Sequence, residues 1–355
     1  GVGAHLIRAA EAAGVSMTRR VGVVIPCYRA AGQVGPVVQE VLQVGEMLLG
    51  VCSLQVFVVN DACPELSWQD LEGQANVQVL HHGSNQGVGA ASITGLRAAL
   101  DQGCVAVVKV DADGQHPPGY LLDLVPHLLS QPADALVLVK GSRYRWPSSP
   151  GQIPWARQLG SILLEPMARA ALACRNLTDI SNGYLGLNAL SCRYLLASGL
   201  GPPLQTRYLF ESSMLVRSNW LGLELREFAM LPRYGDRWCS SMDSGAMVLP
   251  LLKFWGRATL ERLRRCYVAS LNLGSVLLLV SAMSMGLAGY LWITRVGPEI
   301  AERTQVSAGT SSAFTTASAT ALLGLLLFFL YDYRSGSDVR VLRFAALLDD
   351  LERPC

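Results

Sequence analysis

The chain has 355 residues, a formal net charge of +2 and a hydrophobic share of 51%. So small a charge leaves no electrostatic footprint for nucleic acid, and a mean hydropathy of +0.31 is too apolar for an ordinary soluble domain. The length suits one large domain or two modest ones.

Residues 1–18 are alanine-rich and carry no signal-peptide pattern. VGVVIP (Val21–Pro26) is an apolar run closed by proline and predicts a buried strand. Val34, Val37, Val38, Val41, Leu42 and Leu48 then recur at helical spacing. SLQVFVVN (Ser53–Asn60) and NVQVL (Asn76–Leu80) predict a second and a third strand, and VGAASITGLRAALDQG predicts a helix of small residues able to pack close to a sheet. CVAVVKV (Cys104–Val110) is a fourth strand. A helix begins at Pro118, and ALVLVKG (Ala135–Gly141) is a fifth strand. Strands alternating with helices predict an α/β fold with a largely parallel sheet, in which ligands bind beyond the carboxyl ends of the strands.

The remainder is greasier. No residue is charged from Cys266 to Thr294 or from Thr304 to Tyr331, and each stretch exceeds the roughly 20 residues that cross a bilayer. A pair of buried core helices is the bland alternative. The link between the stretches is short, so two spans would form a hairpin with both outer ends on one side. Lys253, Arg257, Arg262, Arg264 and Arg265 precede the first span, and Arg334, Arg340 and Arg343 follow the second. That asymmetry predicts a cytoplasmic N-terminal domain and a cytoplasmic tail. Met247–Arg265 mixes Leu, Phe and Trp with basic residues and reads as an interfacial helix, or else as a packing helix on the soluble domain. The expected layout is therefore 19–245 catalytic domain, 246–265 interfacial helix, 266–331 hairpin and 332–355 tail. Nine cysteines without zinc-like spacing read as reduced thiols of a cytosolic compartment.

Polar residues gather at the predicted strand ends. In VDADGQHPP, Asp111, Asp113 and Gln115 offer two carboxylates and an amide oxygen, hard ligands suited to Mg²⁺ or Mn²⁺ carrying a substrate phosphate. A solvated acidic turn capping the next helix is the alternative. His116 reads as a packing or hydrogen-bonding neighbour rather than a ligand. Asp61 could accept hydrogen bonds from a base or ribose, or simply form a turn before Cys63-Pro64. NQGVGAA (Asn85–Ala91) places glycines at a loop-to-helix junction where backbone can approach a ligand. Lys140 and Arg143 in KGSR could neutralise a diphosphate or form an ordinary surface pair.

VVIPCYR, VVNDACPE, NQGVGAA, VKVDADGQHPP and KGSRY, in that order and spacing, resemble family-2 glycosyltransferases of the GT-A nucleotide-sugar fold. More narrowly the chain resembles the membrane-bound polyprenyl-phosphate group, the dolichol-phosphate mannose synthase type, over roughly residues 20–335. The resemblance implies a UDP- or GDP-hexose donor, a polyprenyl (dolichyl or undecaprenyl) phosphate acceptor, a membrane location and room for a homo-oligomer. It implies that Asp61 contacts the base, with Pro26, Tyr28, Asn85, Gly87 and Lys140 on the donor-nucleotide side. Asp111, Asp113 and Gln115 would hold the metal. Arg143 would face a phosphate, Asp179 and Gly183 would lie near the acceptor, and Glu211 matches the acidic position on a later helix. Tyr234-Gly235-Asp236 and Ser240-Ser241 match the loop before the interfacial helix. Two positions depart from the family: Tyr28-Arg29-Ala30 stands where Tyr-Asn-Glu is usual, and Leu185 stands where an arginine is usual. A saccharide acceptor, with Asp179 or Glu211 as base, and a non-catalytic membrane scaffold are the competing readings.

Overall fold

Strand β1 (Arg20–Cys27) is buried at every position after the first, which marks a strand covered on both faces. Alternation assigns its side chains. Val21, Val23 and Ile25 join one core with Val34, Val37, Val38 and Val41 of helix α1 (Val34–Met47) and with Leu121, Leu124 and Val125 of α3 (Leu121–Leu129). The opposite face meets α2 (Val88–Asp101), whose Ala91, Gly95 and Ala99 are buried. A Cβ on Gly22 would stand 2.7 Å from that of Ala99, so small residues set the close helix–sheet approach. The computed structural model describes residues 19–145, 155–233, 244–302 and 305–342. Tyr234, Gly235, Asp236, Ser240, Ser241 and Arg343 lie outside them.

The chain divides into two units: residues 1–166, 177–252 and 339–355 form one, and 167–176 with 253–338 the other. The first holds an eight-stranded sheet in the order β3-β2-β1-β4-β6-β5-β7-β8. Its further strands are β2 (Ser53–Asn60), β3 (Val77–His81), β4 (Ala106–Lys109), β5 (Val137–Ser142), β6 (Leu185–Asn188), β7 (Glu224–Ala229) and β8 (Arg340–Leu342). Only β6 is antiparallel, to both β4 and β5; the other pairings are parallel. Seven strands therefore end on one rim, and β6 starts there, with Leu185 opposite Lys109 and Lys140. The first five strands match the sequence reading within a few residues. The last three do not appear in it: β6 has four residues, β7 carries three charges, and β8 lies within the stretch read as tail. The helices α4 (Trp155–Leu172), α5 (Ala189–Leu196), α6 (Phe210–Trp220) and α7 (Ser244–Leu263) complete the order up to the apolar region. The seven cysteines among the described residues are all free thiols.

The second unit contains two helices long and apolar enough to cross a membrane, α8 (Leu273–Ala301) and α9 (Ala308–Ser335), with mean hydropathies of 1.9 and 2.0. The first starts later than its uncharged run because Asn272 and Ser275 form a reciprocal cap, side chain to backbone in both directions. The helices run antiparallel: Trp292 packs on Phe314, and Gly274 lies against Tyr331. Their seam is built mostly from small residues, Ser281 and Ala288 on one helix and Ala317, Ala321 and Gly324 on the other, with Phe328 buried against Tyr267, while Leu279, Met283, Leu322 and Phe329 point outward. Small residues inside and large apolar ones outside is the packing of helices in lipid. At the base of the hairpin, Arg262 binds both carboxylate oxygens of Asp332, at 2.8 and 2.7 Å, and Tyr267 donates to the same group at 2.5 Å. Arg262 is thus a buried structural residue and is not available to headgroups, unlike the role its place in the basic run suggests.

Candidate active site

The shared rim forms the floor of a cleft of about 560 Å³. Pro26, Tyr28, Asp61, Asn85, Gly87, Asp111, Asp113, Gln115, Arg143 and Glu211 all line it, so residues spread over 186 positions of sequence meet there. Lys140 and Asp179 do not line it.

Asp111 follows β4, and its side chain stays about one-third exposed. Beneath it lies Lys109, fully buried, whose ammonium reaches Asp111 Oδ1 at 2.5 Å, Glu211 Oε1 at 3.1 Å and the Gly183 carbonyl at 3.3 Å. Burial alone would raise the Asp111 carboxyl, but the surrounding positive groups, Lys109 foremost, together outweigh it and bring it down to about 2. For Lys109 burial favours the neutral amine, and Asp111 and Glu211 outweigh that to keep it charged. The trio depends on Gly183, where a Cβ would stand 2.5 Å from Asp111 Oδ2 and 2.6 Å from Lys109 Nζ. Sequence reasoning passed over Lys109. The usable signal was a charged residue inside an otherwise apolar strand, which must find partners when buried.

Asp113 is held by Gln115, whose backbone N–H and side-chain amide both donate to it, at 3.1 and 2.5 Å. Burial and the Asp111 charge push the Asp113 carboxyl up. Gln115 thus turns its amide nitrogen to Asp113 and buttresses it, while itself lining the cleft beside the two carboxylates. Among the described residues no group of three His, Cys, Asp or Glu stands at metal-ligating spacing. Two carboxylates that repel each other on a cleft wall nonetheless suit a hard divalent ion whose other positions are filled by phosphate and water. His116 accepts the Asp111 backbone N–H on Nδ1 at 3.2 Å and stacks on Tyr184. Burial lowers its pKa, so the ring is neutral and supports the turn.

Arg143 is gripped by Asp179. Its Nε and Nη2 donate to the two carboxylate oxygens at 2.8 and 2.9 Å, and its backbone N–H adds a third bond. Burial opposes ionisation of Asp179, yet Arg143 holds that carboxyl well below its usual range. Asp179 is fully buried and does not line the cleft; its contacts hold Arg143 in place. Lys140 is also corrected: its ammonium is buried, donates to the Asp179 carbonyl and lies 3.9 Å from Glu227. Glu227, likewise missed in the sequence, accepts from Arg145 Nε at 2.7 Å and from Thr178 Oγ1 at 2.9 Å, with the backbone N–H groups of Thr178 and Asp179 at 3.3 Å. It anchors the segment that carries Asp179.

On the other side, Asp61 is buried and accepts from the backbone N–H groups of Gln86 and Gly87, at 2.8 and 2.7 Å, and pairs with His82 at 2.7 Å. It fixes the loop that opens α2, and the residue also forms part of the cleft lining. Gly87 has φ +99°, and a Cβ there would stand 2.5 Å from the Thr206 carbonyl. The close approach that this glycine permits is to the Thr206–Arg207 loop. Arg207 and Arg29 also reach the cleft wall, Arg29 at φ 51° with its guanidinium 5.5 Å from the Tyr28 ring centroid. Met247, Val248 and Leu251 of α7 add an apolar strip.

Residues 22–192 match the profile described as Glycosyl transferase family 2. The chain is 33% identical over 218 residues to undecaprenyl-phosphate mannosyltransferase of Micrococcus luteus, covering 59% of this chain and 81% of that protein. It is 30% identical over 182 residues to polyprenol monophosphomannose synthase of Mycolicibacterium smegmatis, covering 49% and 63%. The crystal structure of mannosyl-3-phosphoglycerate synthase from Rubrobacter xylanophilus superimposes with a TM-score of 0.52 at 18% identity, over 76% of this chain and 80% of that one. At that identity the likeness concerns the fold alone, which is the GT-A fold expected from the strand-end motifs. The chain belongs to glycosyl transferase family 2 and is a glycosyltransferase.

Proposed function

We propose that the protein transfers a hexose from a nucleotide sugar to a polyprenyl phosphate at the cytoplasmic membrane face. The observation that carries this is the placement of Asp111 and Asp113 on the cleft wall, with Arg143, Arg29 and Arg207 lining the same space. Asp111 and Asp113 would hold Mg²⁺ or Mn²⁺, which when bound supplies Lewis-acid stabilisation of the departing diphosphate. Arg143, aimed by Asp179, adds fixed positive charge where negative charge develops. In the transfer the bond from the sugar's anomeric carbon to the diphosphate oxygen breaks, and its electron pair leaves with the nucleoside diphosphate. A phosphate oxygen of the acceptor forms the new bond from the opposite face, with inversion taken from the family resemblance.

A phosphate acceptor is already ionised near neutral pH and needs no base, whereas a sugar hydroxyl needs one within hydrogen-bonding reach. Asp179 is bound by Arg143 and Glu211 by Lys109, so the two carboxylates that a saccharide acceptor would use are already engaged. The names of the two relatives support a polyprenyl-phosphate acceptor and a mannosyl donor. The membrane reading draws on α8 and α9, flanked by Lys253, Arg257, Arg264 and Arg265.

The test uses purified full-length protein in detergent or lipid, polyprenyl phosphate and a panel of nucleotide sugars headed by mannosyl donors. A glycosyl-phosphoryl-lipid product, identified by mass and lost in Asp113→Asn, is expected. Transfer to a soluble saccharide without lipid phosphate, or full activity of Asp113→Asn, would overturn the reading.

A further inference from the structure

Lys109 lies inside the motif VKVDADGQHPP, yet neither the strand pattern nor the roles that the resemblance implies give it a function. Its ammonium has three protons, and three oxygens receive them: Asp111 Oδ1 at 2.5 Å, Glu211 Oε1 at 3.1 Å and the Gly183 carbonyl at 3.3 Å. These oxygens belong to three separate parts of the chain: the turn after β4, the first turn of α6, and the segment entering β6. The lysine is 2% exposed and does not line the cleft, so it cannot itself meet a donor or acceptor phosphate. It acts from below, through the two carboxylates that do line the cleft.

Asp111, Asp113 and Glu211 together bring three negative charges to one wall, and Lys109 is the ammonium bound directly to two of them. A cation fixed 2.5 Å from an Asp111 oxygen competes with any second cation for that oxygen. It also repels a divalent ion placed nearby, because Coulomb interactions over a few ångströms are strong where water is scarce. A nucleoside diphosphate changes the balance, since it brings its own negative charge and ligand oxygens to the metal.

We infer that Lys109 is a positioning residue that weakens the site for a free divalent ion, so that the metal binds together with the donor's diphosphate rather than before it. The inference rests on the metal-assisted reading proposed above. Binding of Mn²⁺, measured by calorimetry and by the electron paramagnetic resonance of the free ion, tests it with and without UDP or GDP. The wild-type protein binds Mn²⁺ weakly alone and markedly tighter with nucleoside diphosphate. Lys109→Met binds Mn²⁺ alone at least about tenfold tighter than wild type, and the added effect of the nucleotide shrinks. If that variant does not fold, the double variant Lys109→Met/Glu211→Gln removes one charge of each sign and frees Asp111 in the same way. It too binds Mn²⁺ alone more tightly than wild type. Unchanged or weaker Mn²⁺ affinity in a folded variant, with wild type still binding Mn²⁺ and nucleotide together, overturns the role of Lys109 and leaves the metal reading standing. No Mn²⁺ binding by wild type with either nucleotide overturns both. A lysine of purely structural importance would lower the affinity on removal, not raise it.

Discussion

Replacing Gly183 by alanine adds one methyl group at the most crowded point of the rim. The new Cβ would stand 2.5 Å from Asp111 Oδ2 and 2.6 Å from Lys109 Nζ, while ordinary contact begins at 3.4 Å. Asp111 must therefore withdraw by about 0.9 Å, or Lys109 must leave it and stay buried without its partner. Overpacking of this kind costs about 1–3 kcal/mol of stability. A displacement near 1 Å at the reacting centre costs on the order of 10²-fold in rate. The expected result is a folded protein whose melting temperature falls by several degrees and whose kcat for transfer to polyprenyl phosphate falls about 100-fold. Gly119→Ala serves as control, because a Cβ there meets nothing within 4 Å. The assay is initial-rate transfer in detergent with thermal unfolding alongside. A Gly183→Ala protein with kcat within twofold of wild type would show that the trio does not position Asp111.

Arg143→Ala takes the guanidinium from the buried Asp179, leaving its carboxylate with backbone N–H donors but no bonded cation, and should cost about 3–5 kcal/mol, read as a loss of denaturation midpoint; a change below about 1 kcal/mol would contradict the burial of that pair. Asp179 has a depressed carboxyl pKa, so its contribution to stability is complete above the unfolded value of about 4 and is lost as pH falls towards the folded one. Melting temperature should therefore drop with acid below about pH 4, and less steeply in Asp179→Asn, where an equal slope would count against the assignment. Lys140→Met should lower stability while leaving the KM for the nucleotide sugar within about twofold, since Lys140 is buried behind the cleft; a tenfold rise in that KM would place it back at the diphosphate. Gly87→Ala combines a strained φ with a 2.5 Å approach to Thr206 O and should both destabilise the protein and weaken donor binding; wild-type donor KM and melting temperature would refute that.

The sequence by itself determined the first five strands, because fully buried strands read as unbroken apolar runs between turn residues. It also determined the two apolar helices, because long uncharged segments satisfy few other environments. The strand-end motifs were legible for the same reason: in a parallel sheet the carboxyl ends share one rim, so residues after Ile25, Val59, Val110 and Gly141 had to meet. Tertiary structure alone decided which of those residues face the cleft. Lys140 and Arg143 lie three positions apart in one motif, yet only Arg143 lines the cleft, and Lys140 is buried behind it. Asp179, acidic and motif-like in sequence, is consumed by Arg143. The partners of Lys109 lie 2, 74 and 102 positions away. A buried charge is specified by what surrounds it in space, and pairings across the antiparallel insertion of β6 leave no local period or spacing from which they could be read.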